Sequence, residues 1–361
     1  MSDLNALMPI AYTQTEVAEQ PAVVERVLGE LHANVRTLAH ALTERAIQRL
    51  YLLGSGDSWF AGLATRVAFE EYTGLITEPL QAYEYAAYGH PGLNAHSAAL
   101  LISSSGRPTT TWDALDRALA AGAYVVGITD NPYDGNPFVD KPHSVLIPGA
   151  QKKGLPAQTT SATMAMLMDL AIELGRANGH LAPEKADALV SSLCAMPTHM
   201  QDVLTASAGP ADVLAQTLPD RRVYTLVGGG PSYGVAQIGS ALLAEGPQEV
   251  GLPLTVEEFH HGLRYGAIGK GDPVILIAPG GAANQRNWET AQSLANWGAH
   301  IIAIVDERDT QITPLAQTVF TTPAVPEAMS PLLTLLPLHN LTIQLALHKM
   351  ANGYQRPTFV P

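Results

Sequence analysis

Short apolar runs, most of them ending in glycine or serine, alternate with stretches of helical spacing between residues 49 and 350. Near-continuous apolar runs of this kind are typical of strands in a parallel sheet that helices cover on both faces. The pattern predicts strands at residues 50–53, 99–102, 124–128, 144–147, 223–227, 274–277, 300–305 and 318–322. This order of elements is that of an α/β protein.

Apolar residues at helical spacing predict the elements around these strands. They indicate an N-terminal helical arm that begins near Ala18, a buried helix at 163–174 and a helical connector from 183 to about 205. A closing apolar helix is predicted at 332–350. Glycine and proline predict a turn at 179–183, before the connector.

The two halves of the chain resemble each other. The run that ends at Gly54 is matched by the run that ends at Gly228, which follows it by 174 residues (228 − 54). Residues 101–106 and 112–129 have counterparts at 276–281 and 288–305, so the spacing drifts by only two residues over three segments. We interpret this repeat as a duplicated α/β unit.

These patterns predict an α/β fold with two tandem, doubly wound parallel sheets, each in three α-β-α layers, and an N-terminal helical arm. The predicted boundaries are 1–48 for the arm, 49–182 for the first domain, and 183–361 for a linker helix and the second domain. A chain of 361 residues with 47% hydrophobic and 15% charged residues is long enough for two cores and typical of a globular protein.

Composition and charge narrow the classes of partner. The formal net charge of −13 argues against nucleic acid, which normally binds a basic surface. No apolar run approaches the roughly 18 residues that span a bilayer, and the N-terminus lacks the features of a secretory signal, so we expect a cytoplasmic protein. The one cysteine, Cys194, excludes an intrachain disulfide, and its apolar surroundings favour a packed thiol over a nucleophile.

Two turns rich in small residues carry candidate chemistry. Residues 103–106 read Ser-Ser-Ser-Gly at the end of a predicted strand and before a predicted helix, and residues 54–58 read Gly-Ser-Gly-Asp-Ser after the first strand. Hydroxyls and free N–H groups at a helix N-terminus suit a phosphate, although turn and cap residues alone would look the same. Neither segment matches a nucleotide-binding fingerprint. The second copy has Ala-Pro-Gly-Gly at 278–281, so we expect only the first copy to hold an anion.

A glutamate and a histidine pair form the other candidate site. Glu245 ends a helical stretch, and residues 257–262 read Glu-Glu-Phe-His-His-Gly. A carboxylate can move a proton next to a carbonyl, and an imidazole can exchange protons with a ring oxygen near neutral pH. The alternative for the glutamates is a solvated side chain, and the alternative for the two histidines is a role at the surface or as satisfied core residues. A zinc site at His260 and His261 is disfavoured because neighbouring residues of a strand point to opposite faces.

These motifs resemble the sugar isomerase (SIS) domain proteins, in the branch with two tandem domains like the isomerase half of glucosamine-6-phosphate synthase. The resemblance covers about residues 49–350 and is most specific at 54–62, at 103–106, and in the spacing of sixteen residues between Glu245 and His261. It implies a phosphate grip at Ser58, Ser103, Ser104 and Ser105, with Thr109 as a looser match. It implies further substrate contacts at Ser55, Asp57, Gln158, Thr160 and Glu258.

The resemblance also implies a mechanism. Glu245 would be the base between C1 and C2 of the sugar, and His261 would open the sugar ring from a neighbouring subunit, so a homodimer is expected. No metal or redox cofactor is implied. The sequence has no glutaminase domain, Arg107 stands where an acidic residue is usual, and residues 156–161 replace a Ser-Thr-Lys segment. The last lysine, Lys349, falls in the predicted closing helix instead of a C-terminal loop.

These departures favour a variant substrate. The leading hypothesis is an enzyme that acts on an amino- or amine-linked hexose 6-phosphate by proton transfer between C1 and C2, as a deaminase, deglycase or isomerase. The alternative is a sensor that binds a sugar phosphate without turnover. A degenerate paralogue kept for assembly is a third possibility.

Overall fold

The structure, a computed structural model, describes residues 2–218, 223–263 and 266–354, with side chains described from Ile10 onward. The described chain forms two compact units. The first unit comprises residues Ala22–Gln151 and Gln158–Pro197, and the second comprises the remaining described residues. The long helix α1 (Ser2–Glu44) contributes its residues up to Pro21 to the second unit and the rest to the first.

The first unit is built on a parallel sheet in the order β2-β1-β3-β4-β5. Its strands are β1 (Arg49–Gly54), β2 (Ile76–Gln81), β3 (Ser97–Ile102), β4 (Tyr124–Ile128) and β5 (Ser144–Leu146). Its further helices are α2 (Asp57–Thr73), α3 (Ala82–Tyr88), α4 (Thr109–Ala120), α5 (Pro137–Asp140), α6 (Gln158–Ala177) and α7 (Pro183–Cys194).

The second unit repeats this topology in the order β7-β6-β8-β9-β10, again with every neighbouring pair parallel. Its strands are β6 (Val223–Gly228), β7 (Val250–Thr255), β8 (Pro273–Ala278), β9 (His300–Asp306) and β10 (Thr318–Thr322). Its helices are α8 (Met196–Thr217), which begins in the first unit, α9 (Pro231–Glu245), α10 (Val256–Gly262), α11 (Asn284–Trp297) and α12 (Pro331–Ala351).

Helices cover both faces of the first sheet because its strands are apolar on both sides. Tyr51 and Leu53 of β1 pack with residues of α3 and α4 on one face. Leu52 points to the other face, where it lies against Gly62 of α2, and α2 packs on α6. The predicted α/β fold with two tandem parallel sheets and flanking helices is confirmed. The predicted domain boundaries stay a prediction.

Two strands were not predicted from the sequence, and both contain proline. β2 and β7 each form one edge of their sheet, and they carry Pro79 and Pro253 opposite Leu52 and Leu226 of the neighbouring strand. Proline lacks the N–H that a central strand must donate, so it is tolerated at an edge. A proline in a short apolar run therefore argues against a strand in the sequence, and the strand is recognised only from its pairing in the sheet.

Two other expectations are wrong in detail. The connector after residue 183 is two helices, α7 and α8, because Pro197 fits the first turn of a helix but cannot continue one from before. Cys194 is exposed and not packed. The buried face of α7 is formed by Ala186, Leu189 and Leu193, and Cys194 lies one residue beyond that face.

The strand-to-helix turn is the same in both units. Gly56 and Gly230 precede α2 and α9 with φ and ψ of 55° and −131°, and of 54° and −125°, a region open to glycine. A Cβ at Gly54 would lie 2.7 Å from the carbonyl carbon of Ser58, and one at Gly228 would lie 2.6 Å from the Ser232 carbonyl oxygen. Each helix thus begins against the end of its strand, where there is no room for a side chain.

None of the helices among the described residues combines the length and the apolar character needed to cross a membrane.

We expect Gly54→Ala to lower the free energy of unfolding by about 1–3 kcal/mol, because the new methyl group forces the first turn of α2 away from β1. The matched control is Gly29→Ala in α1, where a Cβ meets nothing within 4 Å. Helix propensity predicts that this control is neutral or stabilising by up to about 1 kcal/mol. Urea denaturation followed by circular dichroism measures both; equal midpoints for the two variants would contradict the prediction.

Candidate functional site

The crevice of the first unit lies where the order of its strands reverses. β1 pairs with β2 on one side and with β3 on the other, and open parallel sheets bind ligands beyond the carboxyl ends of strands at such a point. Leu53 pairs with Leu101, so β1 and β3 end side by side. The loops that follow them are residues 54–58 and 103–106, the two segments that the sequence singled out.

The serine turn, residues 103–106, is held rigidly. Ser103 is buried and donates its N–H to the carbonyl oxygen of Ile128 over 2.9 Å. Gly106 closes the turn with φ of 65° and donates its N–H to the Ser103 carbonyl over 3.1 Å. The Gly106 carbonyl accepts from Trp112 Nε1 at 2.7 Å and from the Tyr133 hydroxyl at 3.1 Å. Side chains from α4 and from the loop after β4 therefore fix the turn.

Asp130, which the sequence analysis did not identify, organises the middle of the turn. The Ser104 hydroxyl donates to Asp130 Oδ2 over 2.6 Å, and the Ala150 N–H donates to Asp130 Oδ1 over 2.9 Å. The Asp130 N–H donates to the Ser104 carbonyl over 3.0 Å. Burial raises the pKa of Asp130, against the opposing effect of these hydrogen bonds. The repeat carried a signal for this residue, since Asp306 occupies the same position after the fourth strand of the second unit.

Other predicted residues of the turn face solvent. Ser105 is exposed, and its Oγ accepts the Arg107 N–H over 3.3 Å. Thr109 is the exposed first residue of α4. The guanidinium of Arg107 lies over the ring of Tyr133, 5.7 Å from its centroid. The hydroxyls of Ser105 and Thr109 are thus accessible to a ligand.

The loop after β1 adds a second set of polar groups. The Ser55 Oγ accepts from Gln81 Nε2 at 3.2 Å, and Gln81 in turn caps α3 by accepting the Glu84 N–H. Asp57 and Ser58 are the first two residues of α2, and both are partly buried. The side chain of Ser58 therefore lies at a helix N-terminus, where backbone N–H groups favour an anion.

Gln158 and Thr160 lie in the first turn of α6 and are 2% and 3% exposed. Gln158 Oε1 accepts the N–H of Gln151 over 3.3 Å, next to the Ala150 N–H that donates to Asp130. Residues 150 and 151 thereby connect the start of α6 with the serine turn. The buried Thr160 hydroxyl has no hydrogen-bond partner among the described residues.

The equivalent crevice of the second unit differs in charge. Pro279 stands at the position of Ser104 and Gly280 at the position of Ser105, and a Cβ at Gly280 would collide with Asp306, which accepts from the Arg308 guanidinium. Glu327 Oε2 accepts the Ala282 N–H over 2.9 Å, and a Cβ at Gly281 would collide with the same carboxylate. The cavity that these residues line measures about 440 Å³. A carboxylate of the chain thus occupies the crevice beside the N–H groups that precede α11.

Glu245, Glu258 and His261 lie in the second unit. Glu245 is the exposed last residue of α9. Thr255 caps α10 by accepting the Glu258 N–H over 3.3 Å, and the Glu258 side chain is exposed. The His261 side chain is 70% exposed, and its Nε2 lies 3.2 Å from Glu257 Oε1. The hydrogen bond from Arg286 lowers the pKa of Glu257, so this carboxylate stays charged beside the imidazole.

His260 and His261 lie in the helix α10 and not in a strand, which was the expected reason why they would point to opposite faces. His260 is 8% exposed, and its Nε2 lies 2.8 Å from the Thr290 hydroxyl. That hydroxyl already donates to the Arg286 carbonyl, so the imidazole donates to it. His260 is therefore a core residue that points inward, while His261 points outward.

The loop after Glu245 is anchored by the last helix. Lys349 Nζ donates to the Pro247 carbonyl over 2.9 Å and pairs with the buried Glu249 carboxylate. Lys349 lies within α12, as predicted. Gln248 adopts a left-handed φ of 59°, which is strained for a residue with a side chain. Lys349 here supports a loop instead of extending from a C-terminal tail.

One group among the described residues has metal-ligand composition. His32, Asp169 and Glu173 bring ligand atoms within 4.8 Å of one another in the first unit. Arg36 and Arg176 lie 3.5 and 3.3 Å from the Glu173 carboxylate, so arginines already balance its charge. We interpret this group as an ion-pair cluster between α1 and α6. A buried histidine elsewhere, His339, has its pKa lowered to about 4 by burial and is a neutral core residue.

Comparison with known proteins identifies relatives along most of the chain. The SIS domain model matches residues 45–173 and 219–350. Glutamine–fructose-6-phosphate aminotransferase (isomerizing) of Thermus thermophilus is 29% identical over 342 residues, which cover 93% of this chain and 56% of that protein. The chain therefore spans about half the length of the curated relatives that it matches.

Solved structures share the fold. The C-terminal domain of glucosamine-fructose-6-phosphate aminotransferase from Francisella tularensis aligns with a TM-score of 0.84 at 17% identity and covers 94% of this chain and 96% of that domain. Glucosamine-6-phosphate deaminase from Thermotoga maritima aligns with a TM-score of 0.73 at 17% identity, with 94% and 95% covered. At these identities the similarity establishes the fold alone.

We expect crystals soaked in tungstate, an anion with the shape of phosphate, to show one anomalous peak per chain. It should lie between the loop 54–58 and the serine turn, because the second crevice already holds the Glu327 carboxylate. The Glu327→Ala variant serves as the comparison for the second crevice. Tungstate beside Ala282 in the unchanged protein would contradict the prediction.

Proposed function

Because the chain belongs to the SIS-domain family, we propose that it is a phosphosugar-converting enzyme of the isomerase or deaminase type. The proposed substrate is an amino- or amine-linked hexose 6-phosphate, and the proposed reaction is proton transfer between C1 and C2. One observation carries this proposal: the serine turn and the loop 54–58 lie side by side at the crevice of the first unit, while a carboxylate lines the equivalent crevice in the second.

The phosphate binds in the first unit. The hydroxyls of Ser58 and Ser105 and the N–H groups at the start of α2 provide donors for phosphoryl oxygens. Ser103, Ser104 and Thr109 complete the proposed grip. The buried hydroxyl of Thr160 and the polar groups of Ser55, Asp57 and Gln158 are proposed to bind the sugar. No lysine is required, which agrees with the acidic composition of the chain.

Glu245 is proposed as the base. Its carboxylate takes the proton from one of the two carbons, and the electron pair forms the C1–C2 double bond of an enediol or enolamine while the carbonyl or imine group takes a proton from solvent. The same carboxylate then returns its proton to the other carbon, and the hydroxyl or amino group on the first carbon gives a proton back to solvent. The exposed position of Glu245 at the end of α9 and the anchoring of the following loop by Lys349 support this role. Glu258 is proposed as a further substrate contact.

His261 is proposed to act in the site of a second copy of the chain, which makes the active form a homodimer. The imidazole extends from α10 with 70% of its side chain exposed, and Glu257 orients it. An imidazole next to a charged carboxylate exchanges protons with a ring oxygen near neutral pH and so promotes ring opening. Light scattering coupled to size-exclusion chromatography measures the mass of the assembly.

The substrate is sought by a thermal-shift screen of hexose, hexosamine and fructosamine 6-phosphates, with ammonia or amine release and aldose–ketose conversion measured for every ligand that stabilises the fold. A ligand that stabilises and is consumed supports the enzyme. A ligand that stabilises without turnover favours the sugar-phosphate sensor, and no stabilisation by any phosphate ester contradicts the proposed site.

We expect Ser58→Ala to weaken binding of the phosphate ester about tenfold and to leave binding of the unphosphorylated sugar nearly unchanged. The reason is the loss of one hydroxyl that donates to a charged acceptor, worth about 1.5–3 kcal/mol. Ser232→Ala, at the equivalent position before the second crevice, is the matched control and should change neither affinity. Calorimetric titration measures both; equal losses for Ser58→Ala and Ser232→Ala would refute the grip.

We expect heterodimers of Glu245→Gln with His261→Asn to regain about half of the wild-type activity, although each homodimer is inactive. If His261 crosses to the partner, one of the two sites keeps both residues. The chains are co-expressed with different tags and purified as mixed dimers. The control is the double variant paired with the unchanged chain, which then has no intact site. The reverse pattern would place both residues in one subunit, and activity of the Glu245→Gln homodimer would remove Glu245 as the base.

A further inference from the structure

The proton of Ser104 is already donated within the chain. A serine hydroxyl carries one proton, and here it lies in the 2.6 Å hydrogen bond to Asp130 Oδ2. The other Asp130 oxygen accepts the Ala150 N–H, so the aspartate holds both the serine turn and the loop after β5. A phosphoryl oxygen is an acceptor and needs a donor. Ser104 therefore cannot serve the phosphate and a charged Asp130 at the same time.

We propose that Asp130 couples binding of a phosphoryl group at the serine turn to the uptake of one proton, a coupling that rests on the phosphate site proposed above. A proton from solvent adds to Asp130 Oδ2, and the resulting O–H donates to Ser104 Oγ. The Ser104 hydroxyl then turns its own proton to the phosphoryl oxygen. The one covalent bond that forms is the O–H bond at Asp130 Oδ2, and its proton comes from solvent or a buffer acid, which gives up the corresponding bond.

The surroundings of Asp130 favour this proton. The residue is partly buried, and burial raises its pKa. Had Ser104 turned away without proton uptake, a charged carboxylate oxygen would lose its donor in a buried place, and a phosphoryl anion would approach it. Both effects disfavour the charged form of Asp130 once the anion is bound.

The charged group that faces Asp130 is Arg26 of α1, which opposes the rise in pKa. Its guanidinium donates to the carbonyls of Pro148 and Gly149 over 2.9 and 3.2 Å and pairs with Glu30 at 3.1 Å. The other groups that contact the carboxylate are neutral: the Ser104 hydroxyl and backbone N–H groups of the loop 149–150.

The second unit provides the contrast. Asp306 occupies the position of Asp130, but Pro279 stands in place of Ser104, and the neighbouring Arg308 donates to the Asp306 carboxylate. Asp306 has a fixed cationic partner and no serine to release. The chain thus contains an aspartate at the same place in the fold that lacks the proposed coupling.

The test is the affinity for glucose 6-sulfate between pH 5.5 and 8, since a sulfate ester does not titrate in this range, with glucose 6-phosphate measured in parallel. For the unchanged protein, we expect the affinity for glucose 6-sulfate to fall as pH rises, approaching roughly tenfold per unit for one proton. The affinity of Asp130→Asn for glucose 6-sulfate should vary less than about twofold over this pH range. At pH 8 this variant should bind about tenfold more tightly than the unchanged protein, because its amide donates to Ser104 Oγ without titrating. Asp306→Asn should follow the unchanged protein.

The same pH profile in the unchanged protein and in Asp130→Asn would overturn the coupling and leave the phosphate site intact. Absence of binding of both esters at every pH would overturn the site and the coupling together. If Asp130→Asn does not fold, the unchanged protein is titrated calorimetrically with glucose 6-sulfate at pH 7.5 in two buffers with different ionisation enthalpies. The difference between the two binding enthalpies gives the number of protons taken up. We expect uptake of about one proton per ligand bound, and a value near zero refutes the proposal.

Discussion

The absence of a side chain where each first strand meets its helix is the constraint on which both units depend. At Gly54 and Gly228 the first turn of the helix lies so close to the strand that a Cβ would overlap backbone atoms. Gly56 and Gly230 then adopt a conformation that residues with side chains avoid. This turn aims the N-terminus of α2 over the end of β1, next to the end of β3. The position of Ser58 and the accessibility of helix N–H groups follow from it.

The duplication separates what the fold requires from what the site requires. Both units keep the two glycines of the turn, the edge strand with its proline and the aspartate after the fourth strand. They differ at the turn after the third strand, where Pro279 and Gly280 stand in place of Ser104 and Ser105, and in the Glu327 carboxylate that lines the second crevice. The two units therefore share a scaffold but differ in the charge of the crevice: the first suits an anion, and the second already holds a carboxylate.

The residues around the first crevice also form a hydrogen-bond network that restricts their movement. Asp130 connects the serine turn with Ala150, Gln151 connects with Gln158 at the start of α6, and Trp112 and Tyr133 hold Gly106. A ligand that enters this network must exchange hydrogen bonds and cannot simply add them. Buried polar groups in such networks respond to the protonation of any one member, because the low dielectric strengthens each bond and penalises each loss.

The amino-acid sequence by itself determined the class of fold, the repeat and eight of the ten strands that the described residues form, because a strand buried on both faces leaves a continuous apolar run that is visible locally. It also pointed to the serine turn and to the loop 54–58. The tertiary structure alone revealed the edge strands β2 and β7, since a proline is acceptable only where no neighbour needs its N–H. It also placed Cys194 outside the apolar face of α7. The contacts of Asp130 and Glu327 became visible only there as well, because they join residues 26 and 45 positions apart in the chain, which no local pattern encodes.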